Sequence, residues 1–215
     1  MDIARASARP PRLGARRNTP TEPKQERSRR TRAAILAVAA ETFAEEGYPS
    51  VTLQDVADRA HLTKGAVYFH FGNKEALALA IVEEHGNRWQ PLEDAVRAQG
   101  LSPLDTMLGV LDRTAEAFAT DVVVQAGARL QIERSLIKAD LPRPYVGWQQ
   151  RLAQLATEAK EAGQLRPEAD PQVLARVFVS AFFGMQHISD VLTHREDLLE
   201  RYTELRDVVL RGFFA

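Results

Sequence analysis

The sequence predicts an all-α fold, and three observations carry that expectation. Apolar residues recur at helical spacing through most of the 215 residues, as at Ile35, Leu36, Ala39 and Phe43. Thr52, Thr63 and Asn73 stand where a side-chain oxygen closes a helix N-terminus, while Gly47, Pro142, Gly163 and Pro171 separate the segments. No run alternates Val, Ile or Thr in strand fashion, and there is neither an internal repeat nor a glycine-rich phosphate loop.

Residues 1–24 contain Pro10, Pro11, Pro20 and Pro23, many arginines and almost nothing apolar. Such a segment buries too little surface to offset the entropy of ordering, so a disordered basic arm is expected there. From Gln25 the pattern turns helical, with Arg27, Arg29, Arg30 and Arg32 in the first turns and a stop at Gly47. Thr52, with Asp55 three residues on, opens a short helix over 52–59 whose buried face is Leu53, Val56, Ala57 and Ala60. Thr63 opens a second, with Leu62 placed to staple against Val67. Two short capped helices about three residues apart form a helix-turn-helix. Asn73 caps a longer helix towards Trp89, and Pro91 and Gly100 punctuate the stretch beyond it. Further helices are expected over 103–119, 122–138, 144–163, 170–192 and 195–213. The expected organisation is an arm over 1–24, a helix-turn-helix unit over 25–72 and a helical body over 73–215.

Composition narrows the function. The formal charge is −1, from 28 basic and 29 acidic residues, yet residues 1–32 hold ten basic side chains against three acids, leaving −8 on the rest. A positive end on a negative body suggests that one end meets a polyanion. With no cysteine, disulfides, thiolate metal sites and catalytic cysteines are excluded. The five histidines (His61, His70, His85, His187, His194) have no metal-ligand spacing, and no nucleophile motif occurs, so neither enzyme activity, metal nor cofactor is expected. No run of about 18 apolar residues could span a bilayer, and the start lacks the apolar stretch of a secretory signal. A cytoplasmic protein is expected.

The segment Thr63-Lys64-Gly65-Ala66-Val67-Tyr68-Phe69-His70-Phe71 carries the most chemistry. A helix entering the major groove needs small residues where backbone meets DNA and donors around the rim. Gly65 and Ala66 meet the first need; Thr63, Lys64, Tyr68 and His70 meet the second, with Lys74 reaching the phosphates from the next helix. Arg29, Thr31 and Thr52 complete the expected DNA-facing set. Val67, Phe69 and Phe71 are expected to face the core. A glycine early in a helix costs roughly 1 kcal/mol relative to alanine, which packing alone does not explain. Between Ala33 and Lys74 there are three basic residues and five acids, so the preceding arginines must supply much of the phosphate attraction.

Residues Ala39, Phe43, Gly47, Tyr48, Thr52, Val56, Ala57, Ala60, Thr63, Lys64, Gly65, Tyr68, Phe69, His70, Phe71, Lys74 and Glu75 together resemble the DNA-binding domain of TetR-family transcriptional repressors. The resemblance implies an all-helical homodimer that binds a palindromic operator through three N-terminal helices, the rest forming a ligand pocket and a dimer interface. Val124 to Leu130, Gly147-Trp148 and Ala159 to Leu165 are similar to the γ-butyrolactone-type hormone receptors of streptomycetes. Gln125 to Arg134, Leu141 to Tyr145 and Phe182 to His187 are similar to the furan-hormone receptors that control antibiotic clusters.

That resemblance implies a small furan or γ-butyrolactone hormone held by Gln131, Tyr145 and Trp148, with Leu111, Phe182 and Met185 in the apolar lining beside Val110 and Phe178. Gly86 departs from the pattern, standing where some furan receptors have a tyrosine. The segments 171–192 and 195–214 carry apolar residues on more than one face, which predicts a four-helix dimer interface. The helix from Asn73 to Trp89 is the natural lever between reader and sensor. A repressor of the same fold that answers another small molecule, such as an antibiotic, or a DNA-binding protein that answers none, remains compatible with these residues.

Overall fold

A computed structural model describes residues 24–214; apart from Lys24, the arm expected over 1–24 lies outside the described residues. They form ten α-helices: α1 (Lys24–Ser50), α2 (Leu53–Arg59), α3 (Lys64–Phe71), α4 (Lys74–Asn87), α5 (Trp89–Arg97), α6 (Pro103–Thr120), α7 (Val122–Ile132), α8 (Val146–Glu161), α9 (Pro171–Thr193) and α10 (Leu198–Leu210), with a 3-10 turn at Arg134–Leu136. The only β pairing among them is an isolated bridge between Leu165 and Phe214.

Apolar side chains gather in two clusters that meet at α7. Ile35, Phe43, Val56, Val67, Leu77 and Ile81 close the first around α1–α4, joined by Val123, Ala126 and Leu130 from one side of α7. Val124 and Ala128, from its other side, belong to the second with Phe118, Leu155, Phe178 and Tyr202. A helix with apolar residues on two sides is packed on two sides. Close approach is built in: a Cβ on Gly127 would collide with the ring of His85 on α4.

Several boundaries differ from the sequence expectation. Asn73 caps α4 by accepting from the Ala76 amide at 2.7 Å, but the helix ends at Asn87 and α5 starts at Trp89. Pro91 lies in the first turn of α5, where no intrahelical N–H is required. The segment expected as one helix over 122–138 stops at Ile132, because Glu133 turns aside to bond α1 and Arg134 bonds the Leu141 carbonyl at 3.1 Å. Left-handed backbone at Tyr145 (φ 68°) delays α8 to Val146, and His194 and Arg195 (φ 50° and 69°) delay α10 to Leu198. α9 and α10 are apolar on two sides, as expected: Leu174, Phe178, Phe182, Leu198 and Tyr202 are buried, whereas Val177, Ile188, Val191, Leu192, Leu199 and Val208 are exposed.

A candidate nucleic-acid interface and a ligand cavity

The two short helices are set by local chemistry. The Thr52 hydroxyl accepts from the Asp55 amide at 3.2 Å, and the Asp55 carboxylate accepts from the Thr52 amide at 2.7 Å. Thr63 accepts from the Ala66 amide at 3.2 Å. Both caps answer helix-start amides that would otherwise lack partners. On α3, Val67 and Phe71 point inward, and Arg32 of α1 lies over the Phe71 ring at 4.9 Å.

The outward side presents Thr63, Lys64, Gly65, Tyr68 and Phe69, with Ala66 and His70 partly covered. Lys64 Nζ lies 5.7 Å from the Tyr68 ring centre. The expectation that Phe69 faces the core is wrong: it is 81% exposed and meets only the edge of the His70 ring, 5.2 Å between centres, among the described ring contacts. Residues two apart on a helix lie on nearly opposite sides, whereas Val67 and Phe71, four apart, share one. Phe69 therefore stands on the same surface as Tyr68 and Lys64.

The other expected DNA-facing residues are more engaged. The Thr31 hydroxyl donates to the Arg27 carbonyl at 3.0 Å, and Arg29 is exposed on the first turns of α1. Lys74 Nζ stacks over the Tyr48 ring at 4.2 Å, and burial pushes its pKa down. Arg59 is paired with Glu45 at 2.9 Å and Glu46 at 3.0 Å. With Arg59 so paired, Lys64 is the exposed cation of α3, while Arg29 and Arg32 of α1 border a groove with Glu84 and Arg88 at the end of α4.

A cavity of about 380 Å³ opens beyond α4. Its walls are the end of α4 with Trp89, Ala128 and Gln131 of α7, the turn from Pro142 to Tyr145, the start of α8 with Trp148, and Phe183 of α9. The Trp89 and Trp148 rings meet edge to face at 4.9 Å, and Tyr145 packs on Phe183 at 4.5 Å. Gln131 donates to the Pro142 carbonyl at 3.4 Å, which leaves its Oε1 buried without a partner. Trp148 Nε1 is likewise buried and unpartnered. Such a group costs about 1–3 kcal/mol until something bonds it.

His85 also lines the cavity, although nothing in its sequence context marks it. Its Nδ1 lies 3.1 Å from the Val124 carbonyl, which can only accept, so Nδ1 carries the proton and Nε2 is an acceptor. Burial pushes its pKa down to about 4, so the ring is neutral near pH 7.

The structure thus brings Gln131, Tyr145 and Trp148 together. Leu111 and Phe182 line a separate apolar crevice of about 10 Å³ behind Trp148 and Phe183, together with Phe178. Met185 lines neither space but packs at the edge of the same apolar cluster, and Val110 is buried within it. Gly86 borders the cavity, and a Cβ there would meet nothing within 4 Å.

A capped pair of short helices with a donor-rich outer face, joined to a helical body with an aromatic cavity, is the architecture of a helix-turn-helix DNA-binding regulator. The family model for bacterial regulatory proteins of the tetR family matches residues 35–81, and the tetracyclin repressor-like C-terminal domain model matches 122–204. The chain belongs to the TetR family of transcriptional regulators.

Among its relatives, the A-factor receptor protein of Streptomyces griseus is 32% identical over 182 residues, 85% of this chain; the match spans 63% of that protein, a little under two thirds. The transcriptional regulator AcuR of Cereibacter sphaeroides is 30% identical over 152 residues, covering 67% of this chain and 69% of AcuR. A solved structure described as the molecular basis for control of antibiotic production by bacterial hormones is 52% identical. It covers 86% of this chain and 98% of that one, with a TM-score of 0.82. A γ-butyrolactone receptor, called ArpA-like, is 29% identical over 87% of this chain and 90% of its own, with a TM-score of 0.75. Among the described residues, no helix is long and apolar enough to cross a membrane.

Proposed function

We propose that this protein is a cytoplasmic, ligand-released repressor: a homodimer that binds a palindromic operator and leaves it when a small furan or γ-butyrolactone hormone occupies the cavity, derepressing antibiotic or other secondary-metabolism genes. The observation that carries the ligand reading is that Gln131 and Trp148, two wall residues of one aromatic cavity, each keep a buried polar atom without a partner, Oε1 and Nε1. A ligand with one hydrogen-bond donor and one acceptor on a compact ring satisfies both. Its alkyl chain would displace Trp148 or Phe183 and enter the crevice lined by Leu111 and Phe182. The resemblance to hormone receptors supports this reading. Gly86 leaves room beside α4 for a broader head group than a side chain there would allow.

On the DNA side, residues 25–72 form the reading unit, with 73–215 as the ligand-binding and dimerisation domain. Thr63, Lys64, Tyr68, His70 and Phe69 meet the groove and its rim, Gly65 and Ala66 allow close approach, and Arg29, Thr31, Thr52 and Lys74 face phosphate. An exposed phenyl ring suits the methyl group of thymine. The exposed apolar residues of α9 and α10 support a dimer face there, and a two-fold dimer of this kind reads half-sites about one DNA turn apart. Binding of ligand can shift that spacing only through its different affinity for the two dimer geometries.

A gel shift on the DNA upstream of the protein's own gene, with and without candidate furans and butyrolactones, tests the proposal. A complex abolished by one of these classes is expected, and Lys64→Ala should weaken the complex while leaving the fold intact. A complex indifferent to both classes would overturn the hormone reading.

A further inference from the structure

α7 faces two ways. Ala128 and Gln131 line the cavity, while Arg129 and Glu133, on other sides of the same turns, reach the C-terminal end of α1. Arg129 Nη1 donates to the carbonyls of Ala44 at 2.8 Å and Glu45 at 3.0 Å. Glu133 Oε2 accepts from the Tyr48 amide at 2.6 Å, and its Oε1 pairs with Arg129 Nε at 3.2 Å. α1 is broken at Gly47, whose φ and ψ (78° and 167°) are not helical, so the two side chains satisfy the last carbonyls before the break and an amide just after it, with the cation at the end that favours positive charge.

The fit is close, and a side chain at position 47 would both strain the backbone and push the two latch side chains aside. At Gly47 (φ 78°) an added Cβ would lie 2.6 Å from Glu133 Oε1 and 2.7 Å from Arg129 Nη2. Tyr48, held through its amide by Glu133, stacks on Phe43 with centres 6.0 Å apart and carries Lys74 over its ring. The turn that leads from α1 into α2, and with it the placement of α3, is thus held by a side chain of α7 and by Glu133, the residue that caps α7, while α7 itself lines the cavity.

We infer that Arg129 and Glu133 are positioning residues for operator reading: a latch that sets the angle of the helix-turn-helix unit on α7 and through which occupancy of the cavity is felt. The inference rests on the dimeric operator reading proposed above. A ligand bonding Gln131 acts on the same helix, two residues from each member of the latch. Rotation of α7 cannot satisfy a ligand at Gln131 without moving the groups that hold Ala44, Glu45 and Tyr48. Arginine is required at 129, because its planar fork bonds two carbonyls and a carboxylate together, whereas a lysine offers a single charged point.

The test uses the full chain without ligand. An operator is selected from random DNA with the wild-type protein. Affinities are then measured for that operator and for versions whose half-sites are moved one base pair closer or further apart. One base pair shifts a half-site by about 3.4 Å and turns it by about 35°. The wild type is expected to lose at least tenfold in affinity on either change. Glu133→Gln keeps an acceptor for the Tyr48 amide but removes the charge, and Arg129→Ala removes the fork; both are expected to cut that discrimination at least threefold.

Wild-type discrimination in a folded Glu133→Gln protein and in Arg129→Ala would overturn the latch while leaving the repressor reading in place. Glu133→Gln, nearly the same shape, decides the matter alone if Arg129→Ala does not fold. A wild-type protein that selects a palindrome yet tolerates both spacings equally would also overturn the latch. Failure to select any palindrome would remove the dimeric reading and the latch with it.

Discussion

At the reading end of the molecule, hydrogen-bonding needs are met from within the chain, and at the cavity end some are not. Thr52, Thr63 and Asn73 each accept an amide from the first turn of the helix they open. Lys64 and Tyr68 are left outward on helices whose first turns are capped from within the chain. Of the cavity's wall residues, Gln131 and Trp148 keep Oε1 and Nε1 buried with no partner, although the surrounding rings are closely packed. The contrast separates two kinds of recognition. DNA is offered a preformed surface, whereas a ligand would complete a set of bonds that the protein leaves open.

The largest expected effect tests the rigidity of the reading end. Phe71→Ala, at a buried position, should cost about 3–5 kcal/mol of unfolding free energy. Phe69→Ala, two residues away and exposed, should stay within about 0.5 kcal/mol of wild type in urea denaturation. The second variant should nonetheless weaken operator binding in a gel shift. Equal destabilisation by both would return Phe69 to the core.

The next tests the cavity through pH. His85 has a folded pKa of about 4 against an ordinary 6.5, so between those values the unfolded chain binds a proton that the folded chain refuses. Stability present above about pH 6.5 is therefore lost as pH falls towards 4, by up to about 3 kcal/mol. Urea midpoints measured at pH 7 and pH 5 should differ more for wild type than for His85→Gln. An unchanged difference would mean that the imidazole is not buried neutral.

A smaller effect isolates the open hydrogen bond. Trp148→Phe keeps an aromatic wall and removes the Nε1 donor, which should weaken hormone binding about tenfold, or about 1.4 kcal/mol, in calorimetry with operator affinity unchanged. The smallest concerns a closed one. Thr52→Ala removes the α2 cap and should cost about 1 kcal/mol, a fall in Tm of about 2–4 °C.

How much of the molecule is legible in its sequence depends on the range of the interactions. The caps act over three residues, so Thr52, Thr63 and Asn73 can be read directly and the helix-turn-helix with them. Phe69 misleads because Val67, Phe69 and Phe71 recur at every second residue, which is one face of a strand, whereas a helix groups only Val67 with Phe71. The end of α7 at Ile132 depends on Glu133 bonding Tyr48, 85 positions earlier in the chain, and no local signal announces such a partner. Left-handed backbone at Tyr145, His194 and Arg195 is equally hidden, since none of these is glycine or asparagine. Gln131, Tyr145 and Trp148 are legible only through resemblance, and the fold places them around one space; Leu111 and Phe182 fall behind the wall rather than in it.

The chain's two tryptophans, Trp89 and Trp148, both stand in the wall of the cavity, 4.9 Å apart, and α1–α3 contain none. Tryptophan emission, excited beyond the absorption of Tyr48 and Tyr68, consequently arises at the cavity end, so ligand entry would be an optical event that needs no added label. Operator binding should alter that emission only to the extent that the DNA-bound geometry reshapes the cavity, which makes the spectrum a direct meter of communication between the two ends.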